Sequence, residues 1–512
     1  MNKESEIEYF SYMENLIVKS RQENINEAIQ ILGTMIDEAI NLLNVNGLKN
    51  AINIGETLLS ENQKELSDYT YSILNYYLGV AYSEMITMDK GFKIKGLEKG
   101  IYHYRIALDS DEIDTQHKSS ILVNLANSMS AVGRNFDSLR YINEALEYDS
   151  NHPIALGNKA RILNSIADSI YDDGHKNLLY ASIFDCYRKA LSNKELPEYA
   201  KIPYSKIYNN LEPYAEDFNM LINENHSNEL IIEENKNRQY RKWCLRHQLF
   251  LNPLNSIMDN NLSARDVFGL PSIVTKVGDG PYYHSMYNNI KQEYVSSRYL
   301  FYKGLNREGT HFSDKEVSIY NTLDYASQSY NNECVKAGFR IVYSLLDKIA
   351  YFINIYYEIN LPYHKVNFRS IWSEKIKNKF QLRSNLRSDK NWAVNALIWL
   401  SKELHEKDIY TGDLSVFSRK VPTLRNYIEH KHLKILDMDI GSRYFTEPEG
   451  YAMTIARNDF IDNTMFLFKI VRDAIMYLSI AVNIEEYYRN TQRKEQIIPP
   501  MSITNIEDDW KR

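Results

Sequence analysis

The sequence predicts an all-α protein in two parts, a helical-repeat solenoid followed by a helical bundle. Three observations carry that expectation. Over the first 230 residues apolar side chains recur at i, i+3, i+4 and i+7, while Val-Thr alternation and Asn-Gly or Asp-Gly turns are scarce. Helix-breaking Pro253, Gly269, Pro271, Gly278, Gly280 and Pro281 then cluster together. From Asn288 onward the helical period returns. The resulting division is 1–230 for the repeats, 231–287 for a linker or irregular bridging segment, and 288–512 for the bundle.

The composition sets the outer limits. A chain of 512 residues, 44% hydrophobic and 25% charged, has the make-up of a globular protein of two to four domains and excludes a disordered or fibrous one. Its three cysteines, Cys186, Cys244 and Cys334, are far apart and form no CxxC pair, which excludes a disulfide framework or a four-thiolate zinc site. The opening MNKESEIEYF is polar and acidic, unlike a secretory leader. The most apolar late stretch, Thr464 to Val482, carries Lys469, Arg472 and Asp473, too many charges for a membrane span. A cytoplasmic protein without membrane attachment is the expectation.

The net charge of −7 hides a division. Residues 1–240 hold 23 Lys+Arg against 36 Asp+Glu, net −13; residues 241–512 hold 37 against 31, net +6. The overall acidity argues against a nucleic-acid partner, but the basic half removes that objection.

In the first part the clearest unit is Leu122 to Pro153, LVNLANSMSAVGRNFDSLRYINEALEYDSNHP. It resembles the tetratricopeptide repeat, with Leu122, Leu125, Ala126 and Met129 on a first helix and Ser138, Ile142, Ala145 and Leu146 on a second. Small residues at Ala126 and Ala145 allow close approach, and Pro153 stops the second helix. Ala160 follows Ala126 by 34 residues, the period of this repeat. The second helix of that next unit is placed at Ala181 to Leu191, after an insertion around Asp172 to His175. The preceding unit offers Asn75, Leu78, Gly79 and Tyr82, then Tyr104, Ala107 and Leu108. Such a solenoid is a binding surface, so a protein or peptide trigger or inhibitor is the partner it implies.

Residues 221–240 read as a polar connector, and WCLRHQLFLNPLNSIMDN begins the irregular bridge. In the bundle, Glu316 to Ile359 predicts one very long helix or two abutting ones, ended by Pro362. Asp389 to Leu404 predicts a helix capped by Asp389. Val421-Pro422-Thr423 opens another, with Pro422 in its first turn, that continues to about Leu436. A last one runs from about Tyr451 to Tyr488.

The chain has no GxxxxGK[ST] phosphate loop, GxGxxG, HExxH or GxSxG. No metal ligands group together, and no cofactor is implied. What remains is Leu424 to His432, LRNYIEHKH. On a helix, Asn426 and His430 share a face and Arg425 lies at its edge. An Arg with a polar neighbour can hold a phosphate while a His beside it moves a proton. The plain alternative is a surface pair between Arg425 and Glu429 at i+4, with His430 an ordinary surface residue.

Arg425-Asn426-Tyr427-Ile428-Glu429-His430 in an all-helical C-terminal domain resembles the HEPN domain (higher eukaryotes and prokaryotes nucleotide-binding), whose ribonuclease members carry R-[polar]-x3-H. The wider arrangement is similar to a bacterial family of repeat-plus-HEPN proteins associated with defence against phage. The resemblance implies a metal-independent endoribonuclease that cleaves RNA through its 2′-hydroxyl, acting as a homodimer through the bundle. It implies His430 as general acid or base, Arg425 as the phosphate ligand and Asn426 as the group that orients one or the other, with Asp347 a possible supporting acid. Defence against phage or toxin-like growth arrest follows from the same resemblance.

RNA needs a cationic lining. Lys365, Arg369, Lys375, Lys377, Lys379, Arg383, Arg387 and Lys390 face only Glu374 and Asp389, with Phe368, Trp372 and Phe380 interleaved to stack on bases. Lys365, Arg369, Lys379, Arg383, Arg387 and Lys390 are the candidate RNA contacts. The bland reading is a solvated basic loop whose aromatics are core. Two other functions remain open on the sequence: a non-catalytic RNA- or nucleotide-binding domain on a scaffold, and a peptide-responsive repeat regulator whose bundle only dimerises.

Overall fold

The computed structural model describes residues 3–88, 93–227, 237–305, 309–322, 324–377, 379–386, 388–405, 416–437, 450–493 and 497–511. Helices dominate throughout. In the first part α1 (Lys3–Glu23) pairs with α2 (Ile25–Asn41), and α3 (Val45–Asn62) bridges to α4 (Asp68–Met88). The pairs α4–α5 (Lys93–Leu108), α6 (Thr115–Ala131)–α7 (Asn135–Tyr148) and α8 (Pro153–Ala167)–α9 (Asp173–Ser192) follow, and each pair packs on the next. Helices α10 (Glu198–Leu211) and α11 (Ala215–Ser227) cover the last pair. This is a helical repeat-like array.

Local chemistry sets the helix ends. Asp114 accepts from the backbone N–H groups of Gln116 and His117, both at 3.0 Å, and starts α6. Ser138 on α7 donates to the Ala126 carbonyl at 2.5 Å, an approach that the small side chain at 126 permits. Pro153 is the first residue of α8, where its missing N–H costs nothing, so it starts a helix rather than ending one. The sequence places the second helix of that unit at Ala181, but α9 begins at Asp173, because the Asp172 carboxylate caps the His175 N–H at 2.7 Å. The supposed insertion is the first helical turn.

The second part begins with α12 (Arg238–Arg246) and an irregular segment, then α13 (Tyr282–Leu305) packed along α14 (Tyr330–Tyr356). A hairpin of β1 (Ser373–Ile376) and β2 (Lys379–Leu382) follows, then α15 (Trp392–His405) and α16 (Val416–His430). Strand β3 (His432–Leu436) pairs in parallel with β4 (Ala452–Ala456), which leads into α17 (Arg457–Gln492).

Five expectations are corrected here. Residues 316–322 and 324–329 are not helical: Asp324 accepts from Thr322 and Ala326, Ser327 donates to Ile435 of β3 at 2.7 Å, and Ser329 caps α14. Asn391, not Asp389, caps α15, through the Val394 N–H at 3.2 Å. Helix α16 opens at Val416, so Pro422 lies inside it rather than in its first turn. The same helix stops at His430 instead of near Leu436, and Tyr451 precedes a strand rather than opening the last helix.

The two parts share their interior. One continuous apolar core runs from Leu122 through α6–α9, the irregular segment and α13–α17 to Val482. A second core fills α1–α6 and is closed by Trp399 of α15. Charged groups stitch the joint. Arg140 donates to Asp473 at 2.6 Å, Arg105 to Glu403 at 2.9 Å, and Arg134 pairs with both Asp137 and Glu403. Burial pushes the Asp137 carboxyl up, but Arg134 and Arg140 outweigh it and hold it at about 2. Gly133, with φ +84°, makes the α6–α7 turn directly against the Trp392 carbonyl, where a Cβ has no room.

The irregular segment has a structural role. Arg472 of α17, fully buried, donates to the Phe250 and Asn252 carbonyls at 2.8 and 2.9 Å and to Ser256 at 3.1 Å. Arg298 of α13 does the same for the Leu249 carbonyl and Asp266. Arg472, in the apolar stretch Thr464 to Val482, thus joins Arg298 in holding the bridge against the bundle. No helix among the described residues is long and apolar enough to cross a membrane.

Candidate active site

The apolar stripe Val421, Leu424 and Ile428 buries one side of α16 and leaves its last turns facing outward. On that outer side Arg425 is half-buried, while Asn426 and His430 are exposed. Arg425 Nη1 lies 3.3 Å from Asn426 Oδ1 and 3.5 Å from His430 Nε2. A guanidinium can only donate, so it can bond to Nε2 of His430 when that nitrogen presents its lone pair. Both bonds are long, so a stronger acceptor such as a phosphate oxygen would compete well for the guanidinium.

Helix α14 positions the group from beneath. The guanidinium of Arg425 lies over the Tyr343 ring, 6.0 Å from its centroid. Burial, with Asp347 adding to it, raises the Tyr343 phenol to about 12, so it stays protonated. Arg340, one turn earlier, donates to the Ile428 carbonyl at 3.0 Å and holds the end of α16. Glu429 faces Arg340 at 3.9 Å, and among the described residues no ion pair joins it to Arg425. Sequence reasoning missed Arg340 and Tyr343. Their signal was the spacing of Arg340, Tyr343 and Asp347 along one face of α14.

Asp347 is otherwise engaged. Its carboxylate accepts the Phe368 N–H at 2.9 Å and so anchors the start of the basic segment one helical turn from Tyr343. Lys365 and Arg369, both exposed, flank this anchor in sequence. The charge of Arg369 also reaches His405 at the end of α15, which burial first and Arg369 second hold down at about 4.

Two others of the segment have partners of their own. Arg383 is tied into the hairpin, donating to the Ile371 carbonyl at 3.0 Å and to Glu374 at 3.3 Å. Lys390 lies over the Tyr488 ring of α17. The neighbouring Arg489 donates to the Tyr356 carbonyl, thirteen residues along α14 from Tyr343 and about 20 Å away at the helical rise. Arg387 and the side chains of Lys379 and Phe380 lie outside the described residues. Phe368 and Trp372 are 1% and 4% exposed, so they are core and cannot stack on bases as the sequence suggested. Their edge-on contact and the bond from Trp372 Nε1 to the Phe368 carbonyl fix the turn that carries Arg369.

No group of three or more His, Cys, Asp or Glu is arranged to hold a metal among the described residues. The three cysteines are free and buried; burial raises the Cys244 thiol to about 11, far from a reactive range. No curated protein and no solved structure matches the chain. Residues 274–485, which contain Tyr343, Arg425, Asn426 and His430, match the sequence model of the LA2681-like HEPN family.

Proposed function

We propose that the protein is a metal-independent endoribonuclease of the HEPN type. The observation that carries this reading is the convergence of Arg425, Asn426 and His430 on one exposed turn, inside the segment that matches the HEPN family. His430 Nε2 takes the proton of the attacking 2′-hydroxyl, that oxygen bonds to phosphorus, and the 5′-oxygen leaves. Arg425 binds a non-bridging oxygen and the charge that develops on it, while Tyr343 keeps the guanidinium in place. Asn426 orients Arg425. The leaving oxygen needs a proton donor, and a second His430 supplies it when two copies face one another, which is why the reading includes a homodimer. The products are a 2′,3′-cyclic phosphate and a 5′-hydroxyl.

The same reading gives the repeats, taken as tetratricopeptide-like, the task of binding a protein or peptide that releases or restrains the nuclease, in anti-phage defence or toxin-like arrest. Lys365 and Arg369 extend the substrate path beside Tyr343. A second reading, a non-catalytic RNA- or nucleotide-binding domain on a scaffold, gains from the burial of Phe368 and Trp372, which removes two of the three expected stacking residues. Incubating wild type, Arg425→Ala and His430→Ala with RNA in excess chelator separates the two. Cleavage by the wild type alone supports the enzyme; binding without cleavage in all three supports the scaffold.

A further inference from the structure

The end of α16 has a second side. Tyr427, Ile428 and Lys431 point roughly opposite to Arg425, Asn426 and His430 at 100° per residue, and they line a cleft of about 540 Å³ between β3, the start of α14 and residues 313–319. One wall is apolar: Val317 and Ile319 are 56% and 53% exposed. The floor is the edge of β3. Ser327 bonds to Ile435 on this edge, then the chain diverges into α14, and two residues along the same edge the backbone of Leu433 faces the cleft. The rim is cationic. Lys431 stacks on Tyr427 at 4.8 Å, and Arg340 has only Glu429, 3.9 Å away, beside its Nε, which has no hydrogen bond and is shielded from solvent.

A segment elsewhere in the chain has the complementary pattern. Beyond α17, Met501-Ser502-Ile503-Thr504 alternates apolar and polar residues as a half-buried strand does, yet Met501 and Ile503 are 67% and 52% exposed. Acidic Glu507, Asp508 and Asp509 follow, and Trp510 is also exposed. The segment cannot reach the cleft of its own copy. The cleft adjoins the β4 end of α17, whose 36 residues span about 54 Å, while the nine residues from Gln492 to Met501 extend at most about 31 Å.

We propose that residues 501–509 of one copy dock in this cleft of a second copy. Met501 and Ile503 cover Val317 and Ile319, a backbone carbonyl and N–H of the segment pair with Leu433, and the acidic run meets Lys431 and Arg340. The inference stands independently of RNA cleavage, because the docked segment lies on the far side of α16 from His430.

The test uses the full chain carrying Met501→Asp and Ile503→Asp, both exposed positions, so that the segments of other copies do not fill the cleft beforehand. A fluorescein-labelled synthetic peptide of residues 497–511 is titrated into it and followed by anisotropy. Saturable binding is expected, weakened about tenfold by Lys431→Glu, a charge reversal at the rim, and recovered with a peptide carrying Glu507→Lys and Asp508→Lys. No binding, or binding indifferent to Lys431→Glu, overturns the proposal. A second measurement places a photo-crosslinker at position 503 in a mixture of isotopically heavy and light copies. Heavy-to-light cross-links into residues 313–319 or 427–433 are expected; links only within one copy, or only elsewhere, overturn it.

Discussion

Two arginine clusters in this molecule do opposite work. At the joint between repeats and bundle, Arg472 and Arg134 are buried, Arg140 is partly so, and carboxylates and carbonyls at close range take up their donors, with Arg140 Nη1 the exception that has no partner. At the end of α16, Arg425 rests on a tyrosine ring and touches Asn426 and His430 at 3.3 and 3.5 Å, with no carboxylate among these contacts. The first geometry spends its hydrogen-bonding capacity on folding. The second keeps that capacity available to a ligand.

The comparison breaks most visibly at the joint. Asp473→Ala leaves Arg140 and Arg472 without their shared carboxylate in a fully buried site, and a loss of about 3–5 kcal/mol is expected. Denaturant unfolding checks it. Arg425→Ala is expected to move stability by less than about 0.5 kcal/mol in the same experiment, while abolishing RNA cleavage. A destabilisation at Arg425 as large as that at Asp473 would erase the distinction between the two clusters.

Acid titration sharpens it further. Asp137 is held at about 2, below its ordinary value of 3.8, so its pairing stabilises the fold above about pH 4 and is lost as pH falls through 4 toward 2. The contribution is about 2 kcal/mol. Asp137→Asn is therefore expected to be less stable at pH 7 and to lose less on going to pH 2.5 than the wild type. Unfolding curves at the two pH values give the answer, and parallel losses would contradict the assignment. The smallest expected effects are at the surface. Lys365→Ala and Arg369→Ala should each weaken RNA binding modestly and reduce the slope of log affinity against log salt by about 1, whereas Lys390→Ala, whose ammonium lies over the Tyr488 ring of α17, should leave the slope closer to that of the wild type.

Much of this was legible in the sequence, for physical reasons. Helix pairs repeat their apolar spacing, so the array around Ala126 and Ala160 could be read directly, and the local i to i+5 spacing brought Arg425 to His430. The short strands could not be read. Parallel β3 and β4 gain their pairing from residues twenty apart, and the apolar period of 316–329 is overridden by Asp324, Ser327 and Ser329, whose side chains and backbone find partners outside a helix. Phe368 and Trp372 looked like base-stacking residues because charge surrounds them in sequence; in space they meet each other and the core. Arg472 and Asp473 counted only as charges that forbid a membrane span, and their partners, more than two hundred residues away, were invisible to any local pattern.

The central claim is that the loosely held cluster on α16 performs RNA cleavage without metal. The direct measurement is mass spectrometry of the ends produced when wild type and His430→Ala are incubated with a defined RNA and its all-DNA counterpart in excess chelator. The account predicts 2′,3′-cyclic phosphate and 5′-hydroxyl ends from RNA with the wild type alone, and intact DNA. Intact RNA with the wild type, or the same ends from His430→Ala, would contradict it.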